Sequence, residues 1–370
     1  MLRPETGFLT ALLRWILLLL LVSAQASAGI FSNQKCRMKV SFTGYDREET
    51  LTNFPILIVL NNSIDSFNYS SFLDLAGGSD LRFSDANQSA ELNYEIEKWD
   101  TTGSSYIWVQ VPSLSSSNDC IWLFWGGSSY TNPPACTTNG ATWANGYAGI
   151  WHMNPGNTDS SVNRNDGTTV NDPADIQSAV ISGGKDFNGI NYISCSNAPS
   201  LNITGSITVS AWVYWRSGKG FIAKEYQSNS GYAAEIDDGS GKIRWYTWGP
   251  TTNSDMRSTS KFPTNSWHHL ALVYEHENGI KNIYYDGILD STTNASGNIT
   301  QNTDPFHMGF SKLTGDGSQY LNGMLDEMRL SNITRSSNWL WACSMSQGVN
   351  SRFNTYGRVT HNAGTVIVIR

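Results

Sequence analysis

Hydrophobic and polar positions alternate from residue 35 onward, with Cys36, Met38, Val40 and Phe42 on one side and Lys35, Arg37 and Lys39 on the other. That period of two is the pattern of a half-buried strand. The run PILIVL (55–60), closed by Asn61 and Asn62, has the form of a strand buried on both faces. Further short strands are predicted at 81–84, 92–98, 106–111 and 120–125, separated by Gly-, Ser- and Thr-rich turns. A second set follows at 189–194, 207–215, 220–224, 232–236, 242–248, 267–274, 281–285, 305–310 and 323–330. Asp286-Gly287 is a hairpin-turn dipeptide. One short helix is predicted at 336–343, capped by Ser336 or Thr334. The chain therefore reads as all-β, with two antiparallel β-sandwiches in series.

The first 28 residues depart from this pattern. Arg3 and Arg14 precede an uninterrupted apolar run, WILLLLLV (15–22), and small residues follow at Ala24, Ala26 and Ala28. This tripartite order is that of a secretory signal with cleavage after Ala28, and the run is too short for a bilayer-spanning helix of about 20 residues. The expected domains are a signal peptide (1–28), a first β-sandwich (29–131), a linker (132–145), a second sandwich (146–346) and a C-terminal tail (347–370). The mature chain is expected outside the cell, in the periplasm or at a cell surface, with no transmembrane segment.

Composition sharpens this picture. The 24 basic and 31 acidic residues leave a net charge of −7, which argues against a nucleic-acid partner held by phosphate neutralisation. The 14 Trp, 16 Tyr and 14 Phe exceed what solvent-exposed turns would carry, and most are expected in two sandwich cores. Five cysteines (36, 120, 136, 195 and 343) include no C-x-x-C pair, so zinc-ribbon and thioredoxin chemistry has no support. An exported chain permits disulfides, and Cys195 with Cys343 would staple the two ends of the second domain, although spacing alone does not determine connectivity.

Specific residues carry two resemblances. DFNGINY (186–192), ITVSAWV (207–213), WHHLALV (267–273), IYYDG (283–287) and LNGMLDEMRL (321–330) occur in the order of a laminin-G-like, concanavalin A-like jelly roll, preceded by the opening loop DSSVNRNDGT (159–168). LRFSD (81–85), NYEIEKW (93–99), IWVQVP (107–112) and IWLFWG (121–126) resemble a bacterial domain family of unknown function (family 2341) that often precedes such a jelly roll. The segment ANGYAGIWHM (144–153) resembles their usual join.

The jelly-roll resemblance raises the question of glucanase chemistry, which uses Glu-x-Asp-x-x-Glu. Glu235 and Asp237 share a strand face, but the third position is Ser240, so the second carboxylate of a retaining pair is missing. No catalytic residue is assigned. Glu95 and Glu97, with Asp100, read as a charged face opposite Tyr94 and Ile96, and would be the first choice if the first domain were an enzyme. Extracellular jelly rolls of this resemblance frequently hold structural Ca²⁺. The oxygen-rich loop 159–167 suggests Asp159 as a ligand, completed by Asp326 from the last strand. Carbohydrate is the expected ligand class: Tyr226, Trp245, Tyr246 and Trp248, with Asp237 nearby, combine aromatic faces with hydrogen-bonding groups. Trp245 and Trp248 have opposite parity, so at most one faces the core. The expectation is a secreted, non-catalytic protein binding a glycan or cell-surface polysaccharide. The alternatives are a glycosidase or lyase acting through Glu235 or Glu95, and a structural or envelope-assembly module with a protein partner.

Overall fold

The computed structural model describes residues 29–225, 228–249, 254–313 and 317–361. The signal segment, Tyr226 and residues 362–370 lie outside the described residues.

Every strand pairing among the described residues is antiparallel. One sheet of the first sandwich orders Thr355–Tyr356, Cys36–Ser41, Cys120–Trp125 and Arg82–Ser84, with Thr360–His361 also on Cys36–Ser41. Cys36, Met38, Val40 and Phe42 are buried as the alternation predicts. The facing sheet orders Leu51–Leu60, Ser105–Leu114 and Tyr94–Lys98. The second domain is a jelly roll of a nine-stranded and a seven-stranded sheet. The path of the nine-stranded sheet is Ile288–Asn294, Ile280–Tyr285, Trp267–Glu275, Ile207–Gly218, Gln319–Ser331, Gly184–Asn188 and Ala174–Ile176. Tyr147–Trp151 and Phe310–Ser311 pair with Gln319–Ser331 off that path. The seven-stranded sheet runs Asp255–Lys261, Lys242–Trp248, Gly231–Asp237, Gly220–Lys224, Phe306–Met308, Tyr192–Cys195 and Gly167–Val170. At the predicted hairpin, Asp286 (φ 52°) and Gly287 (φ 77°) both take positive φ, as a type I′ turn requires.

The two sandwiches share packing. On Trp267–Glu275, Leu270, Leu272 and Tyr274 face the jelly-roll core, while Ala271 and Val273 join the core of the first sandwich. A strand buried on both faces reads as a continuous apolar run, which explains LALVY. The predicted helix forms over Ser337–Gly348, and the Ser336 hydroxyl accepts the Trp339 N–H at 3.1 Å. Trp339 meets Phe54 edge to face at 4.9 Å, so this helix fastens the end of the jelly roll onto the first sandwich.

Three expectations are revised. The segment taken as a linker contains a short helix, Cys136–Asn139, and a 3-10 turn, Ala141–Trp143, whose Trp143 is fully buried. The region taken as a tail holds Asn350–Phe353, Thr355–Tyr356 and Thr360–His361, which complete the first sandwich. Cys195 and Cys343 are free thiols: Cys195 lies in the jelly-roll core and Cys343 in the helix, within the other core. Burial pushes the Cys343 thiol up to about 11.

Candidate functional site

Two places gather polar and aromatic groups. The first is the outer face of the seven-stranded sheet. On Lys242–Trp248, Trp245 packs in the jelly-roll core, which removes it from any ligand surface and corrects its assignment above. Tyr246 and Trp248 take the opposite face and stack at 5.0 Å with planes 2° apart. The Arg244 guanidinium lies 4.7 Å from the Tyr246 ring centroid and is paired with Asp255 at 2.8 Å. The alternate positions 244, 246 and 248 thus form a ladder along one strand. Ala223, Ala233 and Leu313 pack with Tyr246 in a small apolar cluster that leaves it only 6% exposed, so Trp248 is the more open of the two rings. Asp237 accepts from Ser240 and pairs with Arg257 at 3.3 Å; these partners hold its carboxyl below the usual range. Glu235 is buried and accepts from the Ser311 hydroxyl at 2.5 Å.

The second place is the junction of the two domains. Glu95 and Glu97 share one face of Tyr94–Lys98, and the jelly roll covers that face instead of solvent. The Glu97 side chain is only 1% exposed. His152, which follows Tyr147–Trp151, lies against it with a ring 5.5 Å from Trp143 and 6.0 Å from Trp108. The third contribution comes from Gln319–Ser331. A register shift between the pairs Ser210/Arg329 and Trp212/Asp326 inserts one extra residue. The bulge leaves Leu325, Met328 and Leu330 in the jelly-roll core and turns Asp326, Glu327 and Arg329 toward the first domain. Glu327 takes φ 52°, a left-handed conformation unusual for a side chain of its size.

These groups interlock. Glu327 Oε1 meets His152 Nδ1 at 2.6 Å, while its Oε2 accepts from Arg329 Nη2 at 2.6 Å and Nε at 3.1 Å. The Arg329 guanidinium stacks over Trp108 at 4.3 Å and Trp143 at 5.0 Å. Both indoles in turn donate to the acidic pair, Trp108 to Glu97 at 2.8 Å and Trp143 to Glu95. Ser160 donates to the other Glu95 oxygen at 2.7 Å. Beyond them opens a cavity of about 340 Å³ lined by Glu95, Glu97, His152, Asn154, Ser160 and Arg164 among others.

Burial separates the two carboxyls. It pushes Glu97 up to about 8, opposed by the His152 charge and reinforced by Glu327. Burial opposes the charge of Glu95 too, but the adjacent imidazole, Trp143 and Ser160 hold that carboxyl below its ordinary value. Burial also disfavours imidazolium at His152, yet Glu327 and Glu97 raise it well above the ordinary histidine range. Asp326 is raised by burial and by Glu327, with Oδ2 accepting the Ile181 N–H at 2.7 Å.

The two expected calcium ligands, Asp159 and Asp326, both have protein partners in the structure. Asp159 is fully buried, and its carboxylate accepts from the N–H groups of Ile150, Ser161 and Asn165 and from the Ser161 hydroxyl, all at 2.8–2.9 Å. Asp326 points into the domain junction. Neither belongs to the cluster of three metal-capable side chains found among the described residues, which is Glu97, His152 and Glu327. Asp159 instead organises the loop that carries Ser160 to Glu95. We expect Asp159→Asn to lower unfolding free energy by about 2–3 kcal/mol, because an amide cannot accept from donors converging on both oxygens. Urea denaturation checks this; a loss below about 0.5 kcal/mol contradicts it.

Sequence reasoning singled out Glu95 and Glu97 but missed His152, Glu327, Arg329, Trp108 and Trp143. Their signals, WHM at the join and the DE-x-R pattern at 326–329, were visible only as family motifs.

The chain is thus all-β, a two-sheet concanavalin A-like jelly roll packed on a smaller β-sandwich. Residues 187–340 match the family model of the concanavalin A-like lectin/glucanases superfamily, and residues 77–142 match that of the domain of unknown function numbered 2341. The second of these matches precedes the first along the sequence. No curated protein matches the chain. Among solved structures, domain 4 of AbnA, a GH43 extracellular arabinanase from Geobacillus stearothermophilus in complex with arabinotriose, is 20% identical with a TM-score of 0.45, covering 54% of this chain and 98% of that one. The binding domain of botulinum neurotoxin serotype G is 13% identical with a TM-score of 0.41, over 54% of this chain and 51% of that one. A Trypanosoma rangeli sialidase in complex with 2,3-difluorosialic acid is 15% identical with a TM-score of 0.39, over 55% and 33%. No helix among the described residues is long and apolar enough to cross a membrane.

Proposed function

We propose that this is an exported, non-catalytic binding protein that takes a carbohydrate on the outer face of the seven-stranded sheet. The observation that carries the reading is the coplanar Tyr246–Trp248 pair, on the face away from the core, with Arg244, Asp255 and Asp237 on neighbouring positions. An aromatic face packs against the C–H patch of a sugar ring, and flanking charged groups bond its hydroxyls. The non-catalytic part rests on Glu235, whose carboxylate is enclosed and held by Ser311, with Ser240 where a glucanase would place its second carboxylate.

A glycan array tests this directly. Trp248→Ala is expected to weaken the best array ligand at least tenfold while leaving thermal stability nearly unchanged, since Trp248 is half-buried at the sheet surface. Binding that survives Trp248→Ala and Tyr246→Ala would move the ligand elsewhere. Release of reducing ends from an array-positive polysaccharide, abolished by Glu95→Gln, would replace binding by hydrolysis.

A further inference from the structure

We propose that the junction between the two domains is a binding site for a divalent transition ion of the zinc type, with His152 Nε2 and the carboxylates of Glu95 and Glu97 as its protein ligands. Two buried polar atoms at the cavity have no partner. His152 is 7% exposed, and its Nε2 makes no hydrogen bond. The Glu97 side chain is 1% exposed, and its Oε1 is likewise unbonded. Both residues line the same cavity, and a buried nitrogen and oxygen left unsatisfied cost free energy unless something occupies the space between them.

The donor set suits such an ion. Nε2 lies 3.8 Å from Glu95 Oε2. Two ligand atoms about 2.1 Å from one tetrahedral ion stand roughly 3.4 Å apart, so a small side-chain adjustment closes the pair. Glu97 approaches the same imidazole from the Nδ1 side, its Oε2 3.6 Å from Nδ1, within a group of Glu97, His152 and Glu327 whose ligand atoms lie within 4.8 Å of one another. Glu327 has a different part. Its oxygens are taken by His152 Nδ1 and by Arg329, so it orients the imidazole from behind and leaves Nε2 to the ion. That carboxylate–histidine–metal relay is a recurrent way of fixing a ligating histidine. Trp143, Ser160 and Trp108 hold the two ligand carboxylates in the same manner.

Charge agrees with geometry. Glu327 and Arg329 cancel, which leaves Glu95, Glu97 and His152. A divalent ion displaces the protons that Glu97 and His152 otherwise hold, and beside the resulting two carboxylates and neutral imidazole it leaves the junction neutral. A nitrogen ligand and only three protein donors favour zinc-type ions over calcium, which wants six to eight oxygens. The cavity side supplies room for a water at the remaining position.

The test is isothermal titration of ZnCl₂ into untagged, EDTA-dialysed protein, with CaCl₂ in parallel and CoCl₂ followed by visible absorption. One equivalent of Zn²⁺ is expected, with no saturable calcium heat and Co²⁺ bands of tetrahedral N/O ligation. His152→Ala should weaken Zn²⁺ at least 100-fold, and Glu327→Gln about 10–100-fold. Because His152 is packed between two indoles, the isosteric Glu97→Gln is the second variant and should also weaken binding at least tenfold. No saturable Zn²⁺ binding, tighter binding of Ca²⁺ than Zn²⁺, or binding unchanged in both His152→Ala and Glu97→Gln overturns the proposal.

Discussion

Arg329→Met should lower the unfolding free energy by about 3–5 kcal/mol, the loss expected when one partner of a buried ion pair is removed. Arg329 is 3% exposed and gives Glu327 two hydrogen bonds while covering both Trp108 and Trp143. Methionine restores much of the volume but none of the charge, so the buried Glu327 carboxylate is left with His152 alone. Arg329→Lys should not rescue it, since an ammonium offers neither the planar stack nor the forked donor. The double variant Arg329→Met/Glu327→Gln should recover part of the loss, because both members of the pair are then neutral. Urea melts of wild type, Arg329→Met, Glu327→Gln and the double variant give the cycle, and an Arg329→Met cost under 1 kcal/mol would show that the junction does not hold the domains together.

The second large effect is a pH dependence. The folded protein binds a proton at Glu97 up to about pH 8, whereas an unfolded glutamate releases it near 4.5. A raised folded value means that this contribution to stability is complete below about pH 4.5 and is lost as pH rises through 8. His152, also raised in the fold, works in the same direction. Glu95 and Glu327 are lowered and act oppositely: their contribution is present above the unfolded value and lost in acid. Other buried groups titrate as well, including His269 and His307, both lowered to about 4 by burial. The difference between wild type and Glu97→Gln reports this carboxyl together with its coupling to His152. In EDTA, wild type should lose ground to Glu97→Gln between pH 5 and 8 by up to about 5 kcal/mol, from about 1.4 kcal/mol per pKa unit. Parallel stability curves for the two proteins over that range would mean that Glu97 ionises normally.

The strand pattern made the fold legible. Alternation over residues 36–42 and the unbroken LALVY both follow from which faces are buried, the second because a domain packs on each side of that strand. Parity also separated Trp245 from Trp248. The junction was not legible for two physical reasons. Glu95 and Glu97 look like any solvated strand face, since nothing local to residues 94–98 says that another domain will cover it. A one-residue bulge then breaks the parity of Gln319–Ser331, so alternation places Glu327 and Arg329 with Leu325 in the core when they turn away from it. The backbone bonds of Asp159 were hidden for a related reason: an oxygen-rich loop can bind its own backbone as readily as a cation.

The return of Thr355–Tyr356 and Thr360–His361 to the strand Cys36–Ser41 makes the jelly roll an insertion within the smaller sandwich. Thr43 and Thr355, whose hydroxyls are bonded, are 312 positions apart. A nascent chain therefore carries an unpaired sheet edge throughout synthesis of the larger domain, and closing it is among the highest-contact-order steps available to this fold. The smaller domain is finished last although it is made first, and its late closure ties the maturation of both domains to delivery of the complete polypeptide.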